Sequence, residues 1–73
     1  MDRAIIEPAI KTLLTEIHSK LGEAVRIAKA AEACASAGSI SEAISVSMDI
    51  EQLIYEAGRL HDAACLLNRL SQE

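Results

Sequence analysis

Seventy-three residues make one domain at most, and a chain this short buries only about 60% of the surface it exposes when unfolded. Phe and Trp are absent and Tyr55 is the single aromatic, so although 51% of the residues are hydrophobic, each buried position removes little apolar area from water. The net charge of −4 arises wholly after Gly38, where Arg59 and Arg69 oppose Glu42, Asp49, Glu51, Glu56, Asp62 and Glu73, an imbalance that excludes a phosphate-backbone binder.

From Ile5 to Ala37 apolar residues recur at spacings of three and four: Ile6, Ile10, Leu13, Leu14, Ile17, Leu21, Ala24, Ile27, Ala28, Ala31 and Ala35. That period predicts an amphipathic first helix over about 4–37. Pro8 is tolerated only in a first turn, so the regular helix should begin between Ala4 and Pro8. Glu7 with Lys11, and Glu16 with Lys20, have i,i+4 spacing and read as a solvated face.

A turn is expected at 38–40. Gly38 can take the left-handed conformation that ends a helix, while Ser39 and Glu42 have capping-box spacing for the next one. Beyond it, Ala43, Val46, Ile50, Leu53, Ala57, Leu60, Ala64, Leu67 and Ser71 alternate at three and four without a slip. This heptad seam predicts a second helix over about 40–72, antiparallel to the first, with alternating small and large layers that interdigitate. A rival exists at Ile44–Ile50, whose apolar–polar alternation suits a half-buried strand. No other segment alternates to pair with it.

The stretch Ala57–Ala63, AGRLHDA, echoes Ala37–Ala43, AGSISEA, twenty positions upstream. Only the first copy has serines to cap a new helix, whereas the second keeps the phase of the seam. A turn centred near residue 40 would set Gly22 level with Gly58. Because glycine inside a helix costs about 1 kcal/mol relative to alanine, the expectation is that the two backbones approach closely there or kink together.

Two resemblances bear on these choices. Ile50, Ile54, Gly58, Ala63, Leu67 and Leu70 in IEQLIYEAGRLHDAACLLNRL resemble one hairpin of a tetratricopeptide repeat over 21 residues. That likeness implies a turn at Gly58 and three helices, although Glu51 stands where the family has a small residue and the echo does not recur at the family's spacing of about 34. Leu13–Leu21, LLTEIHSKL, is similar to the start of a histidine-kinase dimerisation hairpin. This second likeness implies a four-helix bundle of two hairpins and a phosphoacceptor at His18, with Ser19 departing from the family pattern.

Few residues carry chemistry. His61 and Cys65, at i,i+4, share a helix face and are candidate metal ligands, yet zinc needs four donors and His18, Cys34 and Asp62 lack motif spacing, so no metal site is assigned. His61 and Asp62 are neighbours in sequence and point apart on a helix, so they form no acid–base pair. His18 as a phosphoacceptor would need exposure and a cation such as Lys11 or Lys20 beside it. No nucleophile–base spacing or phosphate loop is present, so no catalytic residue and no cofactor is expected.

The reading is therefore an all-α protein: an antiparallel two-helix hairpin, a single domain over 1–73, dimerising into a four-helix bundle. Three helices with a turn at Gly58 is the alternative. Ala43, Val46, Ile50, Leu53, Ala57, Leu60, Ala64 and Leu67 are assigned to the oligomer interface, because a core this thin is completed most simply by a second copy. The expected function is non-catalytic: an adaptor or regulator that binds a protein partner, with histidine phosphotransfer through His18 as the alternative. Two reduced cysteines and no apolar run of about 18 residues suit a cytoplasmic protein with no membrane and no nucleic-acid partner.

Overall fold

The computed structural model describes residues 2–72, all helical apart from caps and turns. Helix α1 spans Arg3–Ser36, α2 Ile40–Ser47 and α3 Asp49–Ser71. The helix α1 starts ahead of the window set by Pro8. Asp2 is its N-cap, with Oδ1 accepting from the Ala4 N–H at 2.9 Å, while the Asp2 carbonyl accepts from Ile5 and Ile6, each at 3.1 Å. Pro8 thus falls in the second turn, where it leaves the Ala4 carbonyl without its helical donor. That carbonyl belongs to an exposed residue, and the adjacent Ile6, only 1% exposed, anchors the turn from inside.

The other end of α1 closes as the glycine requires. Gly38 has φ +88°, the Gly38 N–H reaches the Ala35 carbonyl at 3.0 Å, and the Ser39 N–H reaches that of Cys34 at 2.9 Å. These two bonds form a Schellman motif. They also explain why the capping box is not made: the Ser39 N–H that Glu42 would have accepted from is spent on Cys34, and the Ser39 side chain makes no cap bond. A β-carbon at Gly38 would meet nothing within 4 Å, so Gly38→Ala isolates the backbone cost. We expect it to lower the unfolding free energy by about 1–2 kcal/mol in urea denaturation.

No strand occurs among the described residues, which removes the one at Ile44–Ile50, but the expected continuous second helix breaks at Met48. Met48 keeps right-handed helical angles (φ −60°, ψ −30°), so the axis continues while the ladder slips. Its N–H makes a long 3.4 Å bond to the Ser45 carbonyl, and the Ser47 hydroxyl donates to the Ile44 carbonyl at 2.7 Å. Serine competes for backbone carbonyls in this way, and β-branched neighbours favour the helix less. Gly58 lies in the interior of α3, so the turn implied by the tetratricopeptide resemblance does not form and the arms make a helical hairpin.

Helix α1 packs against both α2 and α3 in a rod of 54 × 14 × 11 Å, one helix thick on either side of a single seam. Among the described residues Ile6, Ala24, Ala43, Ala57 and Ala64 are buried. Four are alanines, because the small side chains sit on the line of closest approach and the larger ones spread to its edges. The register is one helical turn tighter than a centre at residue 40 implies: Lys20 meets Glu56, and Leu21 shares a groove with Ile54. Gly22 therefore does not face Gly58. A β-carbon on Gly22 would touch only the end of the Arg26 side chain at 3.8 Å, and one on Gly58 would find open space. The predicted close approach at the two glycines is thus overturned.

Candidate interaction surface

The seam residues Ala43, Val46, Ile50, Leu53, Ala57, Leu60, Ala64 and Leu67 are all buried or half-buried in the single chain. They lie along the side of the second arm that packs on α1. Opposite them, Ile6, Ile10, Leu13, Ile17, Ala24, Ile27, Ala31 and Cys34 are likewise buried or half-buried. The three–four rhythm of this α1 row requires a residue between Ile17 and Ala24, and the structure puts Lys20 there. Leu14, Leu21 and Ala28, which the apolar stripe included, are exposed. They form a parallel row one heptad apart, rotated out of the seam.

The two sides of the hairpin differ in chemistry. On one side Lys20 Nζ donates to Glu56 Oε1 at 2.8 Å, and Gln52 Nε2 donates to Glu56 Oε2 at 2.8 Å. Glu16, Arg59 and Leu60 line the same shallow groove. Lys20 is thus partnered across the hairpin and not by Glu16 along its own helix. The pair Glu7–Lys11 is likewise replaced, by Arg3–Glu7 at 3.9 Å, exposed at the helix start. A polar pair inside an otherwise apolar seam favours the register that joins Lys20 to Glu56, since a slip of one heptad sets Lys20 level with Ala63 in one direction and with the shorter Asp49 in the other.

The hydrogen bonds from Gln52 and Lys20, reinforced by the Lys20 charge, hold the Glu56 carboxyl below its ordinary value. The Lys20 ammonium is held above its own, chiefly by the hydrogen bond to Glu56. A lowered carboxylate stabilises the fold fully above the ordinary carboxylate range, and that contribution is lost as pH falls through the lowered native value. A raised ammonium contributes below the ordinary lysine value and is lost as pH rises through the native one. We expect the urea midpoint of wild type to exceed that of Glu56→Gln at neutral pH, and the gap to close on acidification. A gap independent of pH would contradict this.

The opposite side is apolar. Ile17, Leu21, Ile54, Ala57, Gly58 and His61 line a groove between α1 and α3. Leu21 is 43% exposed and Ile54 55% exposed, and Leu14 and Val25 extend the exposed row along α1. The outer surface of α3 carries a separate patch of Met48, Glu51, Gln52 and Tyr55.

Of the residues singled out for chemistry, His61 and Cys65 come together on α3. His18 is exposed on α1, and Lys20, the cation nearest it in sequence, is held by Glu56. Cys34 is half-buried and Cys65 exposed, both as free thiols. His61 Nε2 lies 3.6 Å from Cys65 Sγ, and among the described residues no group of three or more His, Cys, Asp and Glu side chains gathers to hold a metal. No helix among the described residues is long and apolar enough to cross a membrane. No known protein family, curated protein or solved structure matches the chain.

Proposed function

We propose that this chain is a non-catalytic helical module that pairs with a second copy through the Leu21–Ile54 side, forming a four-helix bundle that serves as an adaptor or regulator for a protein partner. The observation that carries the reading is the apolar groove shared by both helices, continuous with exposed Leu14 and Val25. The surface area agrees in size. A compact chain of 7.8 kDa is expected to expose about 4,400 Å², and this one exposes 5363 Å², an excess of about 1,000 Å². That excess is close to the roughly 800 Å² which one partner contributes to a standard interface. A second copy removes it, because two open seams laid face to face share one core.

In the bundle the Met48–Tyr55 patch on α3 stays outside, with Glu51 beside it. A mixed apolar and acidic surface of this kind suits a protein partner with basic residues around an apolar contact. Sedimentation equilibrium of the full chain is expected to give twice the 7.8 kDa chain mass at micromolar concentration. A well-folded monomer at all concentrations would overturn the reading.

Gly58 supplies a further expected result. Its β-carbon position is open within the chain, so Gly58→Ala should raise the stability of the isolated hairpin by about 1 kcal/mol. In the dimer that methyl enters the shared face, so the same substitution should weaken association. Thermal unfolding at concentrations below and above the dimerisation midpoint separates the two effects.

A further inference from the structure

We infer that His61 and Cys65 form half of a tetrahedral site for a thiophilic divalent cation of the zinc class, completed by the same two residues of a second copy. This rests on the dimer proposed above. The carrying observation is a distance: Nε2 of His61 and Sγ of Cys65 stand 3.6 Å apart. Zinc–sulfur bonds of about 2.3 Å and zinc–nitrogen bonds of about 2.0–2.1 Å, at the tetrahedral angle, set a sulfur–nitrogen edge of about 3.5 Å. The pair, in hydrogen-bond contact within the chain, has a spacing that also fits two corners of a zinc tetrahedron.

Position strengthens the case. Ile54, Gly58, His61 and Cys65 follow one another at spacings of four, three and four, so they form a single stripe on α3. Ile54, Gly58 and His61 line the apolar groove, and Cys65 lies exposed one turn beyond. Gly58, one heptad before Cys65, leaves open space where a side chain would otherwise hold a partner helix away. A two-fold axis that brings the α3 helices level at residues 61–65 then presents two imidazoles and two thiols to one point.

One chain by itself supplies only two donors, since no third His, Cys, Asp or Glu gathers there among the described residues. On binding, each Cys65 releases its thiol proton to solvent, and two thiolates neutralise the dication in a face that otherwise excludes water. No redox change is involved. The borderline-soft donor set of two sulfurs and two nitrogens selects zinc-like cations over magnesium or calcium.

Titration of the reduced, metal-free full chain with cobalt(II) tests the site. The expected result is one cobalt per two chains, with a thiolate charge-transfer band and the strong visible bands of tetrahedral cobalt. Both should vanish in Cys65→Ser and in His61→Ala, and persist in Cys34→Ser, with circular dichroism reporting that each variant stays helical. Sedimentation run in parallel should show dimerisation tightened at least tenfold by the metal. Dimers that form in chelator but take up no cobalt overturn the metal site and leave the dimer standing. A monomer that takes up no cobalt overturns both. One cobalt per chain, or binding that survives Cys65→Ser, overturns the site, whereas a monomer in chelator that cobalt converts to a dimer supports it.

Discussion

Replacing Ile54 by Asp is expected to turn the proposed dimer into a monomer while leaving the hairpin folded. In the single chain Ile54 is 55% exposed, so a carboxylate there remains hydrated and costs the helix only about 0.5 kcal/mol in propensity. In a face-to-face dimer the same carboxylate is desolvated between apolar neighbours such as Leu21 and Ala57, which line the groove with it. Asp is too short to carry its charge out to water, and an unpaired buried charge costs more than the 1–3 kcal/mol of a neutral polar group. Because a two-fold interface repeats every defect, the dissociation constant should rise by roughly 100-fold or more. Sedimentation equilibrium measures it directly. Tyr55→Ser is the matched control: Tyr55 is 60% exposed on the outer patch, so its loss should leave dimerisation unchanged. If Tyr55→Ser dissociates the dimer and Ile54→Asp does not, the pairing face is the outer side of α3 and not the groove.

Truncating Ile6 to Ala is expected to be the most destabilising single change within the hairpin. Ile6 is 1% exposed, the only large side chain among the described residues buried so completely, in a core otherwise made of alanines. Removing it loses the transfer free energy of its methyl and methylene groups and leaves a cavity, at a cost of about 2–5 kcal/mol. A chain of this length has a total stability on the order of 4–11 kcal/mol, so a large fraction is at stake. Ile6 also braces the turn that carries Pro8, so its loss should fray α1 from Asp2 towards the second turn. Urea denaturation reads the stability, and amide exchange over Ile5–Ile10 reads the fraying. A loss well under 1 kcal/mol would show that the first turns contribute little to the hairpin.

The all-α character and the two arms were legible because each rests on a local or periodic signal. The Ala43–Leu67 seam keeps phase through Gly58, and a helix that keeps phase needs no turn, whatever a resemblance over 21 residues implies. The end of α1 was legible at Gly38 because only glycine takes φ +88° there without strain. The break at Met48 was not legible: the seam predicts one continuous second helix, and the alternating Ile44–Ile50 run that contains the break reads only as a rival strand.

What the sequence could not decide was rotation and register. A stripe of three–four spacing leaves two adjacent rows competing for the seam, and the apolar choice, Leu21, was the wrong one for the seam position. Lys20 occupies it because Glu56, itself held by Gln52 along its own helix, comes within hydrogen-bond distance from the other arm, a juxtaposition set by where the Schellman motif closes the turn. The same two-residue shift of the turn centre removed the expected Gly22–Gly58 approach. It also set Leu21 level with Ile54 as the walls of one groove. Local backbone chemistry and hydrophobic period are written residue by residue, so the sequence by itself determined the two helical arms and the turn at Gly38. Which side chains meet across the hairpin depends on how far one arm slides against the other, and only the packed structure decides that, because each one-turn slide exchanges an entire row of partners.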